Sequence, residues 1–272
     1  MCGRYVMARA TSDLVALGDA EANEDLVLRQ SWNVAPTAEV PILVAHADDA
    51  GEVTRRLHVA RWGLVPPWAE ELSVGSRAFN ARSETVASKP TFRAAVRARR
   101  CAVPVEGYYE WKTPEPGAKG PDGRAAKKQP YYVHPAGAGD GEGPVIWFAG
   151  LYEWWQDPEA KAAGEDAWVL STTILTMAAP DADDDDPVLA ALGQLHDRLP
   201  VPMDAETMDR WLAPDTLGSA EEADALVGQV CAGAYEVAAG WSLRPVGGAV
   251  GNVRNNGPEL IQEMREQQGT LL

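Results

Sequence analysis

Cysteine is scarce: the 272 residues hold three, Cys2, Cys101 and Cys231, and no two of them form a C-x-x-C pair. Their scatter gives no thiolate metal spacing, so no metal and no cofactor is expected. An odd count without a secretory leader argues for reduced thiols in the cytoplasm. That leader is itself missing, since no basic segment followed by an apolar core opens the chain. No apolar run approaches the roughly 20 residues of a membrane span, so no membrane partner is expected. A Pro/Ser-rich linker between comparable halves is also lacking, which favours one domain, and no internal repeat is found. Positive charge is in short supply: 24 Lys and Arg face 40 Asp and Glu, for a net charge of -16. That balance argues against a general nucleic-acid binder, whose electrostatic footprint is usually basic.

The charges are placed unevenly, however. Acid concentrates at 181–187 (DADDDDP), 21–25 and 219–225, and base at 92–100 (FRAAVRARR) and 124–128. A basic groove on an acidic body stays open. The remaining composition, 46% hydrophobic and 24% charged, is that of an ordinary globular chain.

Strands predominate in the pattern. Val40, Ile42 and Val44 alternate, and "VTRRLHVARWGLVPPW" continues as strand until Pro66-Pro67, which a ladder does not tolerate in its middle. "CAVPVEGYYEW" reads as a strand pair broken at Glu106-Gly107, and "PYYVHP", "VIWFAGLYEWW" and "AWVLSTTILTM" are further strands. Residues 112–129, rich in Pro, Gly and Lys, read as a flexible hairpin insertion. Helices are expected after Ser12 as a cap, over 91–100, in "DAETMDRWLAP", and in "SAEEADALVGQV", where Ser219 and Glu222 suggest a capping box. No βαβα alternation appears. The class is therefore α+β with a mainly antiparallel core.

Several polar residues interrupt this pattern. Glu110 sits between Tyr109 and Trp111, either on the wet face of a hairpin or in a site that raises its pKa. His196 in "LHDRLP" is a structural histidine or a proton shuttle. Asn80 and Arg82 lie in "FNARSET", too polar for core and too compact for a long loop. "GNVRNNGPE" reads as a turn whose side-chain amides cap backbone. Finally, Cys2 directly follows Met1. Methionine removal before a small residue would leave an α-amine and a thiol on adjacent carbons; the alternative is an ordinary buried cysteine. Together these suggest a nucleophile, a proton shuttle and anion-holding groups drawn from distant segments.

The ordered motifs "MCGRY", "NVAPT", "RWGLVPPWA", "FNARSET", "CAVPVEGYYEW", "FAGLYEW", "LHDRLPV" and "NVRNNGPE", from Cys2 to about Glu259, resemble the SRAP family of SOS-response-associated peptidases or abasic-site processing proteins. The resemblance implies one domain over 2–260 with a barrel-like β core, peripheral short helices and a C-terminal tail, 261–272. It implies a sensor of abasic sites in single-stranded DNA. The aldehyde of the opened deoxyribose would condense with the Cys2 amine to a Schiff base, and the thiol would close a thiazolidine, linking protein to DNA. It thus implies lyase-type chemistry and autocatalytic removal of Met1, in a DNA-repair or SOS setting.

By the same resemblance Glu110 would move protons, including during slow reversal. His196 would protonate the sugar oxygen and Asn80 would orient the amine. Arg82, Arg198 and Arg4 would hold phosphates, Trp68 and Pro36 would wall the flanking bases, and Thr172 or Thr173 would offer a weaker backbone contact. A monomer is expected, cytoplasmic and nucleoid-associated when on DNA. Two rivals remain: a thiol peptidase using Cys2, His196 and Asn80, with its own Met1 as one substrate, and a non-covalent DNA-binding module. Two features depart from the family pattern, the long insertion with Lys127 and Lys128, and the run Asp183–Asp186, expected to point away from bound DNA.

Overall fold

Residues 2–120, 123–137 and 143–264 are described by a computed structural model. Strand β1 (Tyr5–Met7) and helix α1 (Thr11–Gly18) lead to β2 (Ser31–Val34), β3 (Glu39–Ala47) and β4 (Val53–Trp62). A 3-10 turn (Leu72–Arg77) precedes β5 (Asn80–Arg82), α2 (Arg93–Ala98), β6 (Arg100–Val105), β7 (Gly107–Lys112) and β8 (Gln129–Pro135). Then come β9 (Ile146–Gln156), α3 (Pro158–Ala163), β10 (Trp168–Ala178), α4 (Pro187–Leu195), β11 (Arg198–Pro200) and β12 (Pro202–Met203). Helices α5 (Ala205–Leu212), α6 (Ala220–Ala232) and α7 (Ala234–Ala239) precede β13 (Trp241–Pro245).

Five strands close on themselves. β10 pairs with β4, β4 with β3, β3 with β6, β6 with β9, and β9 again with β10. Closure leaves these strands without an open edge. A second sheet, ordered β13-β8-β7-β1-β2, lies beside this barrel. The expected α+β fold with a barrel-like core is thus what forms. Pairing is antiparallel except where β10 meets β4 and β5, both parallel.

The period-2 alternation of the strands divides the apolar residues between two cores. Ile42, Val103, Phe148 and Ile174 pack towards the second sheet and towards Leu189, Leu192 and Leu195 of α4. Their neighbours Leu43, Ala102, Ala149 and Leu175 pack with Phe92, Val96, Trp211 and Val227 of the helices. Arg100 joins helices to barrel. Buried to 5%, its guanidinium donates to the carbonyls of Val96, Arg97, Trp211, Ala213 and Asp215, acceptors left over around the ends of α2 and α5.

Local expectations fare unevenly. The break at Glu106-Gly107 separates β6 from β7. Ser219 caps α6 by accepting from Glu222 N–H, while the Glu222 carboxylate accepts from Gly218 N–H rather than closing the box on Ser219. Ser12 caps nothing: α1 begins after Ala10, without a side-chain cap. The strand that carries Trp62 ends there, before the prolines, because Gly63 turns away at φ 132°. Within 112–129, backbone bonds between Ala118 and Ala126 and between Gly120 and Arg124 form a second small hairpin; Pro121 and Asp122 lie outside the described residues. In the acidic loop, Asp186 caps α4 and Asp184 accepts from Asp186 N–H, so two of its aspartates hold the loop itself. The packed body runs past 260, because Ile261 is buried and Met264 N–H donates to Pro245 O; residues 265–272 lie outside the described residues.

Candidate active site

Cys2 is fully buried three residues before β1, which pairs with β7 through Tyr5↔Tyr108 and Val6↔Gly107. Two anchors fix that strand. Glu106, at the β6–β7 break, accepts from Ala8 N–H and pairs with Arg9 at 3.2 Å. Arg4 donates to Asn33 Oδ1 at 2.8 Å and to the carbonyls of Val250 and Gly251. Asn33 in turn donates to the carbonyls of Val250, Asn252 and Asn255. Asn252, Asn255 and Asn256 bond backbone groups of Arg254, Ala249 and Trp32, so the amide-rich turn is the backbone-capping device its composition suggested.

Asn80 reaches Cys2 from another direction. β5 runs parallel to β10, and Phe79 O accepts from both Ile174 N–H and the Trp62 indole, which fixes the strand's entry. From there Asn80 Nδ2 donates to Cys2 O at 2.8 Å. Its Oδ1 is buried and has no hydrogen-bond partner among the described residues. Glu110, on β7, is buried to 5% and accepts from Trp111 N–H, which excludes the wet-face alternative. Burial, then the charge of Glu110, push the Cys2 thiol far above the ordinary thiol range, against a smaller lowering by the Arg4 backbone N–H. The buried thiol therefore holds its proton. Burial, then Cys2 and then Glu110, likewise raise Tyr108.

His196 lies just past α4, a helix packed against β7 and β13. Its Nδ1 is 2.9 Å from Arg198 N–H and 2.7 Å from an Asp197 carboxylate oxygen. One nitrogen cannot serve both at once. A bare Nδ1 accepts from the Arg198 N–H, whereas an Nδ1–H donates to Asp197, so the position of the ring proton decides which neighbour is bonded.

Several expected contacts meet a different arrangement. Arg198 gives its fork to Glu84 at 2.6 and 2.9 Å and to Thr176 O, and the Arg4 fork is spent on the 250–251 turn; neither guanidinium is an open phosphate holder here. Arg82 is exposed. The Arg198 hydrogen bonds, with lesser help from the Arg198 and Arg82 charges, hold Glu84 below the usual carboxylate value. Thr172 is fully buried, its hydroxyl on Leu151 O and 3.5 Å from Cys101 Sγ, so that group serves the barrel rather than a ligand. Trp68 stands 61% exposed, as a stacking wall requires. Pro36 is half-buried beside Thr37, whose φ of 76° is a strained value for a β-branched residue. Thr37 N–H donates to Trp62 O, which ties that turn to the strand preceding the Trp68 loop.

One group escaped the sequence reading. Asn80 also lines a cleft of about 510 Å³ with Arg77, Lys89, Ser73, Ser76 and Thr91. Arg77 lies three residues before Asn80 at the end of the 72–77 turn, a spacing that could have flagged it. The structure thus ties Asn80 to the Cys2 carbonyl, sets Glu110 where its charge acts on the Cys2 thiol, binds Arg198 to Glu84, and puts His196 just past α4, the helix that packs against β7.

Three comparisons bear on this arrangement. The family model described as SOS response associated peptidase (SRAP) matches residues 1–253. The abasic site processing protein YoqW of Bacillus subtilis is 29% identical over 275 residues, covering 96% of this chain and 99% of that one. The abasic site processing protein YedK of Escherichia coli is 27% identical over 268 residues, with the same coverage of 96% and 99%. A solved protein from Bacteroides thetaiotaomicron shares the fold at a TM-score of 0.69 and 20% identity, over 97% of this chain and 100% of that chain.

Proposed function

Because this chain belongs to the SOS-response-associated peptidase family, we propose that it processes abasic sites in single-stranded DNA by covalent capture through Cys2, once Met1 has been removed. The observation that carries this reading is the meeting at residue 2 of an amide held on its carbonyl and a carboxylate coupled to its thiol.

The chemistry balances. The free Cys2 amine adds to the aldehyde carbon of the opened deoxyribose, the carbinolamine loses water, and the sulfur adds to the resulting imine carbon. Net, one C–N and one C–S bond form and one water leaves. Glu110 accepts the thiol proton as sulfur adds and returns it when the ring reopens, which makes reversal slow but available. Asn80 holds the Cys2 carbonyl, and so the backbone carrying the amine. His196 protonates the sugar ring oxygen. Exposed Arg82 and the Arg77–Lys89 cleft beside Asn80 take the flanking phosphates, and Arg198 holds one only by exchanging Glu84 for it. Trp68 and Pro36 face the adjoining bases. The protein acts as a monomer in the cytoplasm, on nucleoid DNA.

A peptidase pairing Cys2 with His196 has no use for a buried carboxylate whose charge acts on the thiol, so Glu110 favours the imine route. The test is denaturing electrophoresis and intact mass after incubation with an oligonucleotide carrying one abasic site, beside Cys2→Ala and an undamaged control. A heat-stable adduct of protein lacking Met1, one water lighter than its parts and dependent on both Cys2 and the lesion, is expected. No adduct from protein whose mass shows Met1 removed would overturn the reading.

A further inference from the structure

Trp68 rides on a loop whose two ends touch. A Cβ on Gly63 would lie 2.4 Å from Gly75 O, and one on Gly75 would lie 2.3 Å from Gly63 O. The two main chains therefore meet without room for a methyl group, closing residues 63–75 into an Ω-loop. Its first arm is tied down twice. Gly63 N–H donates to Thr172 O at 2.8 Å, and Val65 N–H donates to the buried Ser171 hydroxyl at 2.9 Å.

The loop also has a floor. Trp155, on β9, is 3% exposed and packs with Val65 and Ala69 in a small cluster of its own. Its indole N–H donates to Ala69 O at 2.8 Å. Trp68 is the residue immediately before that acceptor. A purely apolar cluster would accept phenylalanine; a buried indole has to place its N–H, and here it places it on the backbone beside the exposed ring.

We propose that Trp155 is a positioning residue for DNA capture, its indole N–H fixing Ala69 and thereby aiming the ring of Trp68. This rests on the reading of Trp68 as a stacking wall. A lone exposed ring on a loop gives its full stacking only when its direction is set before the base arrives; otherwise binding is spent on ordering it. The neck at Gly63 and Gly75 sets where the loop starts and ends, and the Trp155 indole sets which way its tip faces.

The test is a double-mutant cycle on the full chain, with Trp68→Ala, Trp155→Phe and the pair. Affinity for an undamaged single-stranded oligonucleotide and the concentration dependence of abasic capture are both read. Trp68→Ala is expected to weaken binding by about 5- to 150-fold, the range aromatic stacking on one base supplies. Trp155→Phe is expected to weaken it several-fold, with the capture rate at saturating oligonucleotide unchanged. The double variant is expected to bind no more weakly than Trp68→Ala alone. Equal losses from Trp155→Phe in both backgrounds, or none in the wild type, overturn the inference while leaving the stacking wall standing. If Trp68→Ala itself changes nothing, the stacking reading fails first and takes this one with it. Thermal melting checks each variant. Should Trp155→Phe not fold, benzothienylalanine at 155, the same shape without the N–H, enters the cycle in its place.

Discussion

The side-chain amide of Asn80 donates to the carbonyl oxygen of Cys2 across 2.8 Å, tying the second residue of the chain to a strand that begins 78 residues later. Removing it with Asn80→Ala leaves that carbonyl without its donor, at a cost of about 1–3 kcal/mol for a buried acceptor. The melting temperature should fall by a few degrees, and the rate of adduct formation should fall much further, because the amine loses its direction. Gel-based time courses at saturating oligonucleotide measure the rate. A loss in rate no larger than the loss in folded fraction would remove Asn80 from the chemistry.

The Glu84–Arg198 pair predicts a pH dependence. Hydrogen bonds from Arg198 lower the Glu84 pKa in the folded state. A depressed carboxylate contributes stability that is present above its unfolded value, here 4.5, and is lost as pH falls through the folded value. Melting temperatures of wild type and Glu84→Gln should therefore differ most near neutrality and converge below pH 4.5. The gap is small, since Glu84 is about half exposed and solvent screens the pair.

Arg100 predicts a loss of stability without a loss of chemistry. Arg100→Ala deprives five buried or half-buried carbonyls of their donor and should cost about 3–5 kcal/mol in urea unfolding. The fraction that stays folded should capture abasic oligonucleotide at the wild-type rate.

Glycine substitutions should divide by neighbourhood. Gly228 lies inside α6, and a methyl group added there would meet nothing within 4 Å among the described residues, so Gly228→Ala should stabilise by about 0.5–1 kcal/mol. Gly75→Ala drives a methyl group into the Gly63 carbonyl and should both lower the melting temperature and weaken DNA binding through Trp68. Equal and small effects at both sites would contradict the closed neck.

Much of the fold was legible because its signals are local. The Glu106-Gly107 break, the Ser219 cap and the alternation of Val40, Ile42 and Val44 are each written within a few residues. The same alternation could have turned Thr172 inward, since it shares a strand face with the buried Ile174. Cys2, Asn80 and Glu110 were legible as a group only through the order of motifs; two separate strands and the segment leading into a third carry them. What the arginines do was not legible. Arg4 and Arg198 carry the residue type that suits phosphate, yet their partners, Val250 and Glu84, lie 246 and 114 residues away and depend on tertiary closure. The parallel pairing of β10 with β4 and β5, and the Trp155 floor beneath Ala69, are long-range in the same way.

That 246-residue span between Arg4 and Val250 also orders events in time. At roughly 5–20 residues per second, synthesis of the segment that seats Arg4 follows that of Cys2 by about ten to fifty seconds. Throughout that interval Arg4 lacks the Val250 and Gly251 carbonyls that hold it. On the proposed reading, removal of Met1 has this interval in which to act. A product truncated before Val250 would carry Cys2 but not the Val250 and Gly251 carbonyls that hold Arg4.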